Sequence, residues 1–223
     1  MRLNAALVRA GLATSRRKAD KLINAGAVSY NDKTITVHAT NVKDGDRLRI
    51  GRKEMVFHTN VNSQMVLFYK PVGYVCSHSP QSGQKSIFEL LPRKYSNYKL
   101  AGRLDIDSEG LLVLSRDGKL INELTHPGHS NKKTYLITTK EAIKPTQMQK
   151  LNSEFVINNT TIVAKSVRQL STNKLEIVIS QGLNRQIRKM VGHVGLSVEK
   201  LIRISIGPYK LGSLKPGQWL QVK

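Results

Sequence analysis

Asp105, Asp107 and Glu109 lie close together in a chain whose formal net charge is +21. Carboxylates so spaced can act as nucleophile or general base, or gather a cation. They belong to the run Gly-Arg-Leu-Asp-Ile-Asp-Ser-Glu-Gly, residues 102–110, which leads into the apolar residues Leu111–Leu114. A polar loop feeding a buried strand presents a side chain from a rigid base. The same residues are also ordinary turn formers: Asp105, Asp107 and Ser108 suit one turn, and Asp117-Gly118 a second. Spacing alone does not separate Asp105 from Asp107.

Two further stretches carry side chains suited to chemistry. Lys132-Lys133-Thr134-Tyr135-Leu136-Ile137 reads as a loop entering a strand and brings Tyr135 with it. Gln181–Met190 reads as a turn followed by a helix that Asn184 can cap. The apolar face of that helix is Ile187, Met190, Val191 and Val194, at i, i+3, i+4 and i+7. Arg185, Arg188 and Lys189 fall on the other side, with Arg188 nearest the apolar boundary.

The elements that must position these groups are legible in outline. Met65–Tyr69 predicts a buried strand running into the Pro71–Gly73 turn. Asp117 can cap a helix containing Leu120, Ile121 and Leu124, which Pro127 ends. A helix over 145–152, a hairpin from Phe155 to Val167 and a strand at Leu175–Ser180 follow. Leu201–Ile206 alternates, with Ile202, Ile204 and Ile206 on one face and Leu201, Arg203 and Ser205 on the other. Trp219–Val222 predicts a last strand. Ahead of all this, Leu3, Ala6, Leu7 and Ala10 recur at helical spacing, and Ser15 can cap a second helix that runs through Ala25. Arg16, Arg17, Lys18 and Lys21 crowd its first turns against the helix dipole, which suits a phosphate backbone docked alongside. Short strands at Ala27–Tyr30, Thr34–Val37 and Arg47–Ile50 should follow. Between His58 and Gln64 the composition turns to that of a linker.

Thirty-six Lys and Arg against fifteen Asp and Glu in 223 residues point to a polyanion partner. They are spread along the chain, as expected of a folded nucleic-acid surface rather than a basic tail. No apolar run approaches the roughly 18 residues of a spanning helix, and the first nine residues hold no signal-like apolar core. With a single cysteine, Cys76, a protein of a reducing cytoplasm is expected, with no membrane partner. A metal-dependent nuclease could draw on Asp105, Asp107, Glu109 and His126 or His129. Six scattered histidines and one acidic cluster, however, lack a recognisable ligand spacing.

Several of these motifs, in order, resemble one family. They are Lys70-Pro71-Val72-Gly73, Gly102-Arg103-Leu104-Asp105, Lys133-Thr134-Tyr135, Gln186-Ile187-Arg188 and Leu201-Ile202-Arg203. They are similar to motifs of the bacterial ribosomal-RNA pseudouridine synthases, in the RsuA-like branch. The resemblance implies that Asp105 is the catalytic carboxylate, as nucleophile or base, and that Arg188 pairs with it. It implies that Tyr135 lies against a flipped uracil, that Leu201 packs beside the site, and that Arg103 supports it. No metal or organic cofactor is implied.

The resemblance also implies an α+β fold in three parts. Residues 1–58 would be a small α/β alpha-L RNA-binding module like one in a small-subunit ribosomal protein, and residues 59–64 a linker. Residues 65–223 would be a catalytic domain on a mixed, mainly antiparallel sheet. The expected RNA contacts are Arg2, Arg16, Arg17, Lys21, Arg185 and Lys189. The expected partner of this monomer is ribosomal RNA, in a precursor or an assembling subunit. The Gly207–Gly217 ending leans to the large subunit. A small-subunit target and a non-catalytic RNA-binding protein are the alternatives.

Overall fold

The computed structural model describes residues 1–58, 65–157 and 159–222. Two compact units account for the chain, the first formed chiefly by the N-terminal residues. The expected linker, 59–64, lies outside the described residues. No helix among those described is long and apolar enough to cross a membrane.

The first unit pairs two short helices, Leu3–Arg9 and Arg16–Asn24, with a four-stranded antiparallel sheet. Leu3, Ala6 and Leu7 are fully buried and share a core with Ala19, Ile23, Val28, Leu48 and Phe57. That core is the reason for the helical spacing of small and branched apolar residues. Ser15 caps the second helix, its Oγ accepting from the Lys18 N–H at 3.1 Å. Arg16, Arg17 and Lys21 remain exposed, as does Arg2.

The second unit is built on a nine-stranded sheet. Its main path runs Ser166–Ser171, Lys174–Ile179, Lys133–Thr139, Val198–Ile206, Glu109–Ser115, Met65–Lys70 and Trp219–Val222. Along this path neighbours are antiparallel except Val198–Ile206 with Glu109–Ser115, which is parallel. The sheet is therefore mixed and mainly antiparallel, as expected. Met65–Lys70 and Glu109–Ser115 are buried at every position, which explains their unbroken apolar runs. One face packs Ile187, Met190 and Val191 of the Gln186–His193 helix against Tyr135, Ile137, Leu175, Ile177 and Leu201. The other face sets Met65, Leu67, Tyr69, Leu111, Val113 and Ile206 against Leu124. Each fully buried Leu or Ile here contributes roughly 1.5–3 kcal/mol.

Three local readings change. The strand expected at Thr34–Val37 is Lys33–Thr34: Asn31 and Asp32 both take positive φ, so pairing starts at Lys33, and it ends at Thr34. A strand at Lys53–Val56 was not expected; every residue in it is exposed, so it carries no burial alternation. Asn184 does not cap the Gln186–His193 helix. Arg185 occupies the cap position at φ 50°, without a side-chain cap, and the Gln186 carboxamide closes the entry by accepting from the Leu183 N–H at 3.1 Å.

Candidate active site

A cavity of about 880 Å³ opens in the second unit, and Asp105, Tyr135, Arg185, Arg188, Leu201 and Arg203 are among the residues that line it. The Asp105 loop is fastened from below. Lys70 is fully buried, and its ammonium donates to the carbonyls of Ser108 at 2.7 Å and Pro71 at 3.0 Å. The Gly73 N–H donates to Ile106 O at 2.8 Å, and Ser108 N–H to Asp105 O at 3.1 Å. The turn after Met65–Lys70 thus holds the backbone on both sides of Asp107. Burial lowers the Lys70 pKa, while Cys76 and the carboxylates of Asp107, Asp105 and Glu109 oppose that shift.

The three carboxylates part company. Glu109 turns into the sheet, accepting from Tyr69 Oη at 3.2 Å and pairing with Lys200 at 3.1 Å. Burial first, then the Glu109 charge, pushes the Tyr69 phenol up to about 12. Asp107 faces the Gln186–His193 helix and meets two arginines. Arg185 gives it two hydrogen bonds, at 3.2 and 3.0 Å. Arg188 brings its Nε to 3.2 Å from Asp107 Oδ2 and donates from Nη2 to Asp107 O at 2.8 Å. The Nε contact is ionic, since its geometry does not make a hydrogen bond. Burial would raise the Asp107 pKa, but the Arg185 hydrogen bonds and the Arg188 charge outweigh it and hold the carboxyl below its ordinary value.

Asp105 remains, partly exposed at the cavity, and its nearest cation is Arg185, whose Nη1 stands 3.9 Å from Oδ2. The expected partnership is therefore redistributed. Arg188, expected on Asp105, lies on Asp107, and Arg185, expected to face RNA, spans both aspartates. The left-handed turn at Arg185 accounts for this reach, a backbone conformation that spacing does not reveal.

Tyr135 is buried at the cavity wall, and Leu201 is buried two positions along the strand from Arg203. Arg103 is exposed at the rim. Lys189 is half-buried and does not line the cavity. Arg2, Arg16, Arg17 and Lys21 belong to the first unit.

Two lining residues carry charge that the sequence reading left unassigned. Lys133 and Arg203 are both buried at the cavity. The register of Arg203 with Leu201 on one strand face is the signal that could have marked it. Gly110 is obligatory opposite it: at φ +114°, an added Cβ would fall 2.3 Å from Arg203 O.

Comparison with known proteins supplies the family. Residues 64–193 match the RNA pseudouridylate synthase family, and residues 1–48 match the S4 domain. A ribosomal large subunit pseudouridine synthase E of Xanthomonas campestris is 35% identical over 178 residues, covering 70% of this chain and 93% of its own. One of the same name from Vibrio parahaemolyticus is 31% identical over 232 residues, covering 96% of each. An uncharacterised RNA pseudouridine synthase of Rickettsia bellii is 34% identical, covering 93% of this chain and 91% of its own. A crystal structure of a pseudouridylate synthase, at 24% identity, superposes over 100% of this chain and 96% of its own with a TM-score of 0.70, which shows a shared fold. With an S4 domain ahead of that fold, this chain belongs to the RNA pseudouridylate synthase family.

Proposed function

We propose that the protein isomerises a specific uridine of ribosomal RNA to pseudouridine, with Asp105 as the catalytic carboxylate. The observation that carries this reading is Asp105 itself: a carboxylate on a fastened loop, at a cavity shared with Tyr135, with one guanidinium 3.9 Å away. Forming pseudouridine breaks the bond from C1′ of ribose to N1 of uracil and makes one from C1′ to C5. Asp105 acts on the ribose as nucleophile or base. Arg185 stands beside it with Nη1 3.9 Å from Oδ2, and Arg188 with Asp107 holds the loop. Tyr135 flanks the base, and Leu201 closes the wall against water. A base stacked in a helix cannot reach such a cavity, so the target is extruded or comes from an unpaired loop.

The large subunit is the proposed source of the target, supported by the names of the Xanthomonas and Vibrio relatives. The S4 domain and the net charge of +21 support binding to RNA through its phosphates. Mapping carbodiimide-dependent, alkali-resistant primer stops in ribosomal RNA from cells with and without the gene tests this. One large-subunit stop that vanishes with the gene, and returns on treatment with purified protein, is expected. A stop lost from small-subunit RNA would move the target. No lost stop in either RNA, with binding intact, would leave a non-catalytic RNA-binding protein.

A further inference from the structure

Lys133, Tyr135, Leu201 and Arg203 occupy one patch of the sheet. Tyr135 pairs across the strands with Arg203, and Ile137 pairs with Leu201. All four residues of the patch line the cavity. Two of them are cations, and both are nearly excluded from water, Lys133 at 8% exposure and Arg203 at 2%. Neither forms a salt bridge among the described residues. Arg203 Nε donates to Leu111 O at 2.8 Å, but Nη2 is buried with no hydrogen-bond partner among the described residues. Among the described residues, Lys133 Nζ reaches only two backbone carbonyls, those of Asn131 at 3.3 Å and Ser180 at 3.4 Å. Burial, and then the charge of Arg203, hold the Lys133 ammonium below the ordinary lysine pKa. Two neighbouring buried cations without a counter-charge are costly unless the cavity receives an anion or a strong acceptor.

We infer that Arg203 and Lys133 form an anion-stabilising floor that holds the carbonyl oxygens of the pyrimidine as it detaches from the sugar. This rests on the isomerase reading above. Whether Asp105 attacks C1′ or takes a ribose proton, the electron pair of the broken N1–C1′ bond stays on the base. The resulting uracil anion spreads its charge over N1, O2 and O4. C5 of that anion then bonds to C1′, which releases Asp105 from C1′ in the first route and returns the ribose proton from Asp105 in the second; the C5 proton leaves to a base and N1 regains a proton, so the product is an isomer and no oxidant or reductant is consumed. A neutral uracil carbonyl accepts weakly, whereas the same oxygen in the anion accepts strongly. Donors fixed at the floor therefore favour the cleaved state over the ground state. Asp105 and Arg185 act on the sugar side of the broken bond, and the Arg203–Lys133 pair acts on the base side.

The test uses the full chain and its Arg203→Gln, Arg203→Lys and Lys133→Met variants, with Asp105→Asn as reference and thermal melts for folding. Two measurements are made: single-turnover conversion of ribosomal RNA, and calorimetric binding of 6-azauracil, a uracil analogue acidic enough to be anionic near pH 8. Arg203→Gln should slow conversion by about 100-fold, as expected for loss of one oxyanion donor, with RNA affinity unchanged. Arg203→Lys should recover part of the rate, and Lys133→Met should be slowed less. Wild type and Asp105→Asn should bind the anion in preference to neutral uracil, and Arg203→Gln should lose that preference. If folded Arg203→Gln and Lys133→Met convert RNA and bind the anion like wild type, the floor has no such role. If Arg203-dependent anion binding is seen in a protein that converts no uridine, the floor stands and the isomerase reading falls.

Discussion

The Arg185 guanidinium is doubly hydrogen-bonded to Asp107, and its Nη1 stands 3.9 Å from Asp105 Oδ2. One cation thus spans two aspartates in unequal ways. Asp107 is paired further by Arg188, whereas the Asp105 carboxylate accepts no hydrogen bond among the described residues and faces the cavity. The two aspartates, one residue apart, are therefore placed differently: Asp107 anchors both arginines, and Asp105 is left at the cavity.

Asp105→Asn keeps the shape of the side chain and removes its charge. Single-turnover conversion should fall below detection, with an unchanged melting temperature and RNA binding retained. Asp107→Asn should keep measurable activity, because it loosens the arginines without removing the reacting group. Full conversion by Asp105→Asn would end the mechanism proposed here.

Arg185 and Arg188 should separate in a stability measurement. Arg188 is mostly buried and donates to Asp107 O, so Arg188→Met should cost about 2 kcal/mol and reduce conversion. The more exposed Arg185→Met should reduce conversion with little loss of stability. Lys189→Met should change neither. Urea melts and single-turnover rates on the three variants check this, and equal destabilisation by the two arginine variants would contradict the geometry.

Gly110→Ala should be among the most damaging single-methyl additions. Its Cβ would meet Arg203 O at 2.3 Å, in backbone that L side chains rarely adopt, at the parallel junction of two central strands. A loss of about 3 kcal/mol or more is expected in urea unfolding. Gly118→Ala, with open space around it, provides the control.

The Asp107 carboxyl sits below its ordinary value in the folded protein. A depressed carboxylate stabilises the fold above the unfolded pKa of about 3.9, and the contribution is lost as pH falls through the folded value. Wild type should therefore lose more stability than Asp107→Asn between about pH 4 and pH 2. Parallel urea curves at these pH values would show the difference; identical pH dependence would remove Asp107 from the acid response.

Arg16, Arg17 and Lys21 are exposed on a helix of the first unit. Their replacement by alanine should weaken RNA binding across sequences and flatten its salt dependence by about 0.7–0.9 of a unit for each phosphate no longer neutralised. Filter binding over a salt series reads both effects. An unchanged slope with abolished activity would place these residues outside the RNA interface.

Ser15 as a cap, the apolar spacing of the first helices and the buried runs at Met65–Lys70 and Leu111–Leu114 were determined by sequence alone. In each case local periodicity or a capping oxygen sets the conformation directly. The ordered motifs likewise pointed to the family and to the candidates Asp105 and Tyr135. Other features depended on residues far apart in the chain. Arg185 reaches two aspartates through one left-handed residue, and Asp107 draws Arg188 because its loop is tied to Lys70. Gly110 must lack a side chain because another strand's backbone lies against it. The alternation of Leu201–Ile206 puts Arg203 on the same strand face as Leu201, but it does not say whether that face is open to solvent or covered. Tertiary packing made that distinction for Arg203 by placing its strand between two others and covering its face, which turned a common surface charge into a buried one.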